Sequence, residues 1–176
     1  MDIKLQKTGL DIEIKARCEN QEKIRKILKL KKAKFLGKFN MEDVYFNVKS
    51  GRLKTRVGDI DDILIQYNRE NKSSPKRSDF LVSIIDKKSN VIPSLKKALG
   101  VKVIVKKQRE IYILDNIRFH IDNVVGLGKF IEIEVRGEKE SQLKKLREQI
   151  KEYLQFFDIK KKDLIAGSYS DLLLKK

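Results

Sequence analysis

The sequence predicts an α+β domain built around one antiparallel sheet. Three observations predict it. Short segments with alternating apolar and polar residues recur along the chain, and turn-rich pieces rather than long crossovers separate them. Three further stretches carry apolar residues at helical spacing. At 176 residues, 40% hydrophobic and 38% charged with only nine Gly and two Pro, the chain is too apolar for disorder. It has the size of one domain, residues 1–176, able to bury a single core.

The first element is LDIEIKARC at 10–18. Leu10, Ile12, Ile14, Ala16 and Cys18 fall on one strand face, and Asp11, Glu13, Lys15 and Arg17 on the other. Asn20 reads as an N-cap, and Ile24, Ile27 and Leu28 recur at helical spacing through QEKIRKILKLKKAKF, a basic amphipathic helix. DVYFN, RLKTRV and DILIQYNR read as short strands separated by VKSG and GDID, as in a meander. NRENKSSPKRSD at 68–79 reads as a loop or long hairpin tip before the strand FLVSII. SNVIPSLKKALG predicts a short helix with Pro93 in its first turn and Gly100 at its end. The strands VKVIVKKQREIYIL, IRFHID and KFIEIEVRG follow, joined at DN and at VVGLG. Leu143, Leu146, Ile150 and Leu154 form the apolar stripe of a last amphipathic helix. The tail IAGSYSDLLLKK is too short to assign.

Composition bounds the function. The 41 Lys+Arg against 25 Asp+Glu give a net charge of +16, a field that attracts nucleic acid, acidic lipid or polyphosphate without choosing among them. No run of about 18 apolar residues is present, and the opening MDIKLQKTGLDIEIK lacks a signal peptide's apolar core, so a cytoplasmic protein without a membrane partner is expected. Cys18 and His120 are each the only residue of their kind, which leaves no Cys/His set for zinc. A metal would rely on carboxylates, hence a hard cation such as Mg²⁺ or Mn²⁺. GxxxxGK[ST] and GxGxxG are both absent, so any phosphate grip must come from side chains.

One charged strand face ordinarily looks at water. Here the pattern repeats: Lys54 with Arg56, Lys107 with Arg109, Arg118 with His120 and Asp122, and Glu132 with Glu134 each share a face. The opposite faces (Ile12 and Ile14, Phe119 and Ile121, Ile131 and Ile133) are apolar and could carry the helices. If the sheet closes into a barrel, the charged faces converge on its axis. Burying so many charges is costly unless they pair with each other or with a guest, and mixed carboxylates and bases suit a metal-bound polyphosphate.

The ordered set of motifs resembles the CYTH superfamily, the triphosphate tunnel metalloenzymes, which includes class IV adenylate cyclases, thiamine triphosphatases and inorganic triphosphatases. DIEIK is similar to the family's ExExK, with Asp11, Glu13 and Lys15 in its three places. GRLKTR, LIQYNRENKSSPKRSDF, VKKQR, RFHID, GLGKFIEIE and the closing GSYSDLLL resemble later family segments, so the likeness covers nearly the whole chain. The resemblance implies an eight-stranded antiparallel closed β-barrel, a tunnel with amphipathic helices packed outside. It implies that Lys15, Lys54, Arg56, Arg69, Lys76, Lys107, Arg109 and Arg118 bind the triphosphate. Asp11, Glu13, Asp122, Glu132 and Glu134 would hold Mg²⁺ or Mn²⁺, with Glu13, Lys15, Glu132 and Glu134 closest to the chemistry. Asp11 departs from the pattern by one methylene, and Lys54 lacks the bidentate fork of the more usual Arg. His120 could bond a phosphate or base, or simply orient Asp122, and Tyr67 could line the tunnel or pack.

The implied activity is hydrolysis of tripolyphosphate or of an organic triphosphate such as ATP or thiamine triphosphate, which needs only cradle and metal. The alternative is class IV cyclisation of ATP to cyclic AMP and pyrophosphate, which also needs a purine pocket that the sequence does not locate. A polyphosphate or RNA binding module is the alternative of another class. Nucleic acid is thus a disfavoured partner left open, as is a homodimer.

Overall fold

A computed structural model of the chain describes residues 8–60 and 62–176, with side chains from Asp11 onward. Eight antiparallel strands close a barrel in the order β1-β5-β4-β3-β2-β6-β7-β8. They are β1 (Thr8–Arg17), β2 (Lys34–Phe46), β3 (Arg52–Gly58), β4 (Ile63–Arg69), β5 (Lys76–Ile84), β6 (Val101–Leu114), β7 (Ile117–Val124) and β8 (Gly128–Gly137). Among the described residues four α-helices accompany them: α1 (Gln21–Leu30), α2 (Val91–Leu99), α3 (Leu143–Phe156) and α4 (Tyr169–Leu173). The eight-stranded closed barrel is the architecture expected. Among the described residues no helix is long and apolar enough to cross a membrane.

Period-two alternation decides which residues face out. Ile12, Ile14 and Ala16 of β1, Phe119 and Ile121 of β7 and Ile131, Ile133 and Val135 of β8 form one outer core with Ile24 and Leu28 of α1 and Leu146, Ile150 and Tyr153 of α3. The Leu10 side chain, predicted on this face, lies outside those described. Phe119 makes edge contacts with Tyr153 and Phe157 at 4.7 and 5.7 Å between ring centroids. Helix α2 does not join them: none of its residues is buried.

Three local differences from the sequence reading have simple causes. The predicted helix through Phe35 ends at Leu30: Lys32 turns left-handed (φ 58°) and the Ala33 amide bonds back to Leu28, so the chain leaves directly into β2. That strand is therefore 13 residues long, and DVYFN is only its end. The loop expected at 68–79 is shorter, because Lys76–Asp79 pair with β1 and become strand. Asn20 does cap α1, its side chain accepting from the Lys23 amide at 3.1 Å.

The unassigned tail closes one end of the barrel. Leu164 bridges to Ala16, and the Ile165 amide donates to the Lys15 carbonyl at 2.8 Å. Ser168 then caps α4, whose Tyr169 packs with Tyr45, Tyr67, Val105, Val124 and Phe130, all drawn to that end. At the opposite end, the mouth, Arg118, Arg136, Ile60 and Val82 are partly exposed.

Candidate active site

The ladder places the inward residues side by side. Lys15 lies opposite Glu132, and Glu13 opposite Glu134, between β1 and β8. His120 lies opposite Glu132 and Arg118 opposite Glu134 between β7 and β8. Asp43 faces Arg56 across β2 and β3. These side chains surround a cavity of about 210 Å³. Of the residues expected from sequence, Asp11, Glu13, Lys15, Lys54, Arg56, Arg69, Lys107, Arg109, Arg118, Glu132 and Glu134 line it, together with His120 and Tyr67.

Two expected ligands do not line it. Asp122 is fully buried and accepts from Arg109 Nε and Nη2 at 2.7 Å each and from the Tyr169 hydroxyl at 2.7 Å. Burial would raise its pKa, but Arg109 outweighs burial and holds it at about 2. Lys76 donates to the carbonyls of Lys72, Ile165 and Ala166 at 3.1, 3.1 and 2.7 Å. Burial and the nearby Arg69 push its pKa down to about 8.

The cations gather in a band. Asp43 is 1% exposed and holds three of them: Lys54 at 3.0 Å, Arg56 at 2.7 Å and Lys107 at 2.6 Å. Burial raises its pKa, yet Arg56, Lys107 and Lys54 together keep it well below the usual carboxylate range. Arg69 pairs with Glu13, while its buried Nε and Nη2 meet no protein acceptor. Arg109 bridges Asp122 and Glu132, and Lys15 pairs with Glu132. Orphaned guanidinium nitrogens aimed into a buried, cation-rich cavity are costly without an anionic guest.

The acids gather beside them. Ligand atoms of His120, Glu132 and Glu134 all lie within 4.8 Å of one another. His120 Nδ1 is buried, lacks a hydrogen-bond partner and sits 3.5 Å from both carboxylates. Burial and then Arg109 lower its pKa, so the imidazole is neutral near pH 7 and keeps a lone pair. Glu134 has no Lys or Arg nitrogen within 4 Å among the described residues, and a buried oxygen of Asp11, Oδ1, has no partner. Burial and the nearby Glu134 raise the Asp11 pKa to about 7. One nitrogen and several carboxylate oxygens around orphaned atoms fit a hard divalent cation.

Sequence reasoning missed Asp43, Tyr169 and Arg136. Asp43 could have been found, because it stands two before Tyr45 on a strand leading into GRLKTR. Tyr169 belongs to a helix of five residues that only long-range packing defines.

The description CYTH domain matches residues 10–169. The chain belongs to the CYTH family. A candidate adenylate cyclase of Methanocaldococcus jannaschii, MJ0240, is 31% identical over 173 residues, 93% of this chain and 98% of that one. Among solved structures, the PH1012 protein of Pyrococcus horikoshii superposes with a TM-score of 0.80 at 28% identity, covering 92% of this chain and 98% of that one. HpAC1 of Hippeastrum, a candidate adenylyl cyclase with a dominant triphosphatase activity, gives a TM-score of 0.61 at 14% identity, with 94% of each chain covered. At that identity it shares the CYTH fold alone. The CYTH barrel accounts for the alternation of charge: closing the sheet turns one face of each strand towards a shared lumen.

Proposed function

We propose that this CYTH protein is a metal-dependent triphosphatase acting inside its barrel. What carries the reading is the cation band set beside orphaned metal-type ligands in one buried cavity. Lys15, Lys54, Arg56, Arg69, Lys107, Arg109 and Arg118 hold phosphate oxygens. Glu13, Glu132, Glu134 and Asp11, with His120, hold Mg²⁺ or Mn²⁺, which supplies charge neutralisation where the phosphoanhydride breaks. Asp122, satisfied by Arg109 and Tyr169, positions Arg109 instead of binding metal. Lys76 anchors the tail and serves the phosphates only through its charge.

The chain's own contribution is positioning and electrostatics. Bidentate guanidinium donors fix phosphate oxygens, the buried band strengthens each contact, and Asp43 keeps three cations at fixed separations. The second reading is a class IV adenylate cyclase, favoured by the description of MJ0240, 31% identical to this chain. Incubation with Mg²⁺ or Mn²⁺ and either tripolyphosphate or ATP tests both, with orthophosphate, pyrophosphate and cyclic AMP measured together. Orthophosphate without cyclic AMP supports hydrolysis. Cyclic AMP with stoichiometric pyrophosphate overturns it for the cyclase, and no metal-dependent product at all overturns both.

A further inference from the structure

One corner of the outer surface is both apolar and basic. Leu30 at the end of α1 is 82% exposed, Phe35 at the start of β2 is 51% exposed, and Phe156 at the end of α3 is 42% exposed. The left-handed turn at Lys32 keeps the first two close, and the seven residues from 29 to 35 include Lys29, Lys31, Lys32 and Lys34. Lys31 joins the third, its Nζ standing 3.5 Å from the centre of the Phe156 ring. Among the described residues none of these four lysines has a carboxylate within 4 Å: Glu22 and Glu110 pair with Arg25, and Asp158 with Lys23 and Lys160. Lys34 lies opposite Ile113, and Ile113 opposite Arg118, so the corner stands beside the mouth of the barrel.

The two properties call for one partner. A solvated lysine run needs no apolar neighbours, and an apolar interface between proteins is depleted of lysine. Together they match a surface that is apolar inside and negative outside, namely acyl chains beneath anionic headgroups. Nucleic acid fits less well. Leu30 offers no stacking face, the Phe35 ring already packs on Tyr112 at 4.8 Å between centroids, and Lys31 covers the Phe156 ring. The one arginine of α1, Arg25, is taken up by Glu110 and Glu22, so the patch presents point charges without a guanidinium fork. We infer that the corner formed by residues 29–35 and Phe156 docks on an anionic lipid surface, with Leu30 among the acyl chains and the lysines at the headgroups. No described helix is long and apolar enough to cross a bilayer, so the contact is peripheral, reversible and weakened by salt. It does not depend on the reaction proposed for the lumen.

Vesicle co-sedimentation of the full chain tests it, with phosphatidylcholine alone or with about a third of phosphatidylglycerol, at about 0.1 M and about 0.5 M salt. At the lower salt the anionic vesicles should bind about tenfold or more tighter, and most of that gain should vanish at the higher. Lys29→Gln/Lys32→Gln should weaken binding about fivefold or more. Lys161→Gln/Lys162→Gln removes the same charge from two exposed lysines at the closed end, and should change binding less than about twofold. Leu30→Ser leaves the charge alone and should weaken binding about threefold or more. All five positions are exposed, so melting temperatures should match the wild type and keep unfolding out of the comparison. Equal binding to both kinds of vesicle, losses no larger at the corner than at Lys161 and Lys162, or full binding by Leu30→Ser overturns the inference. Single-stranded RNA of about 20 nucleotides that binds through the same residues while vesicles do not overturns it in favour of nucleic acid.

Discussion

The Tyr169 hydroxyl donates to Asp122 Oδ2 at 2.7 Å, joining the last helix of the chain to a carboxylate that also receives both forks of Arg109. The ring sits 4.3 Å from Lys15 Nζ, so one side chain touches the tail, the ionic network and the barrel floor together. Tyr169→Phe keeps the packing and deletes one hydrogen bond to a buried charge, a loss of about 1–3 kcal/mol. The urea midpoint should fall accordingly with an unchanged m-value. A midpoint equal to the wild type would show that Arg109 alone satisfies Asp122.

Asp43 is the counter-ion of three buried cations, and Asp43→Asn leaves them facing one another. Removing one partner of such a group costs about 3–5 kcal/mol. Thermal unfolding should show the loss directly. Adding tripolyphosphate should raise the variant's midpoint more than the wild type's, since an anionic guest restores the missing charge. Equal ligand shifts would mean the guest does not reach this trio.

Asp11 gives stability a pH dependence. Its folded pKa of about 7 lies above the ordinary 3.8, so the folded state holds the proton more tightly than the unfolded chain. The contribution is complete below pH 3.8 and is lost as pH rises through 7, amounting to roughly 2–4 kcal/mol. In metal-free buffer, Asp11→Asn should therefore match the wild type near pH 3.5, gain on it as pH rises and exceed it in stability near pH 8. Parallel profiles for the two proteins would contradict this.

Glu134→Gln is the cleanest probe of metal binding. It uncovers no Lys or Arg, whereas Glu132→Gln would strip Lys15 and Arg109 of a partner and confuse folding with chemistry. The Mn²⁺ concentration that half-saturates turnover should rise about 10–100-fold, at a melting temperature close to that of the wild type. Unchanged metal dependence would remove Glu134 from the ligand set.

Strand alternation carried most of this structure in the sequence. Glu132 and Glu134, or Lys54 and Arg56, are two apart, and a period of two forces them onto one face whatever the partner strand. The end of α1 was less legible because KLKKAKF continues a helical spacing, and only the left-handed turn at Lys32 interrupts it. Asp122 looks like a tunnel ligand by spacing, and Lys76 by the family resemblance. They are taken up by the carbonyls of Ile165 and Ala166 and by Tyr169, partners 89, 90 and 47 residues away that no local pattern announces. Ile65 and Phe80 also line the cavity, because closure of the sheet turns them inward.

With α4 lying across one end of the barrel, traffic through the site is two-way along a single lane. If the proposed hydrolysis takes place there, a guest that enters headfirst would back out, and the outer fragment would leave before the inner one. Release would then be ordered by depth, with the fragment against Lys15 and Arg69 departing last and blocking the next arrival while it stays.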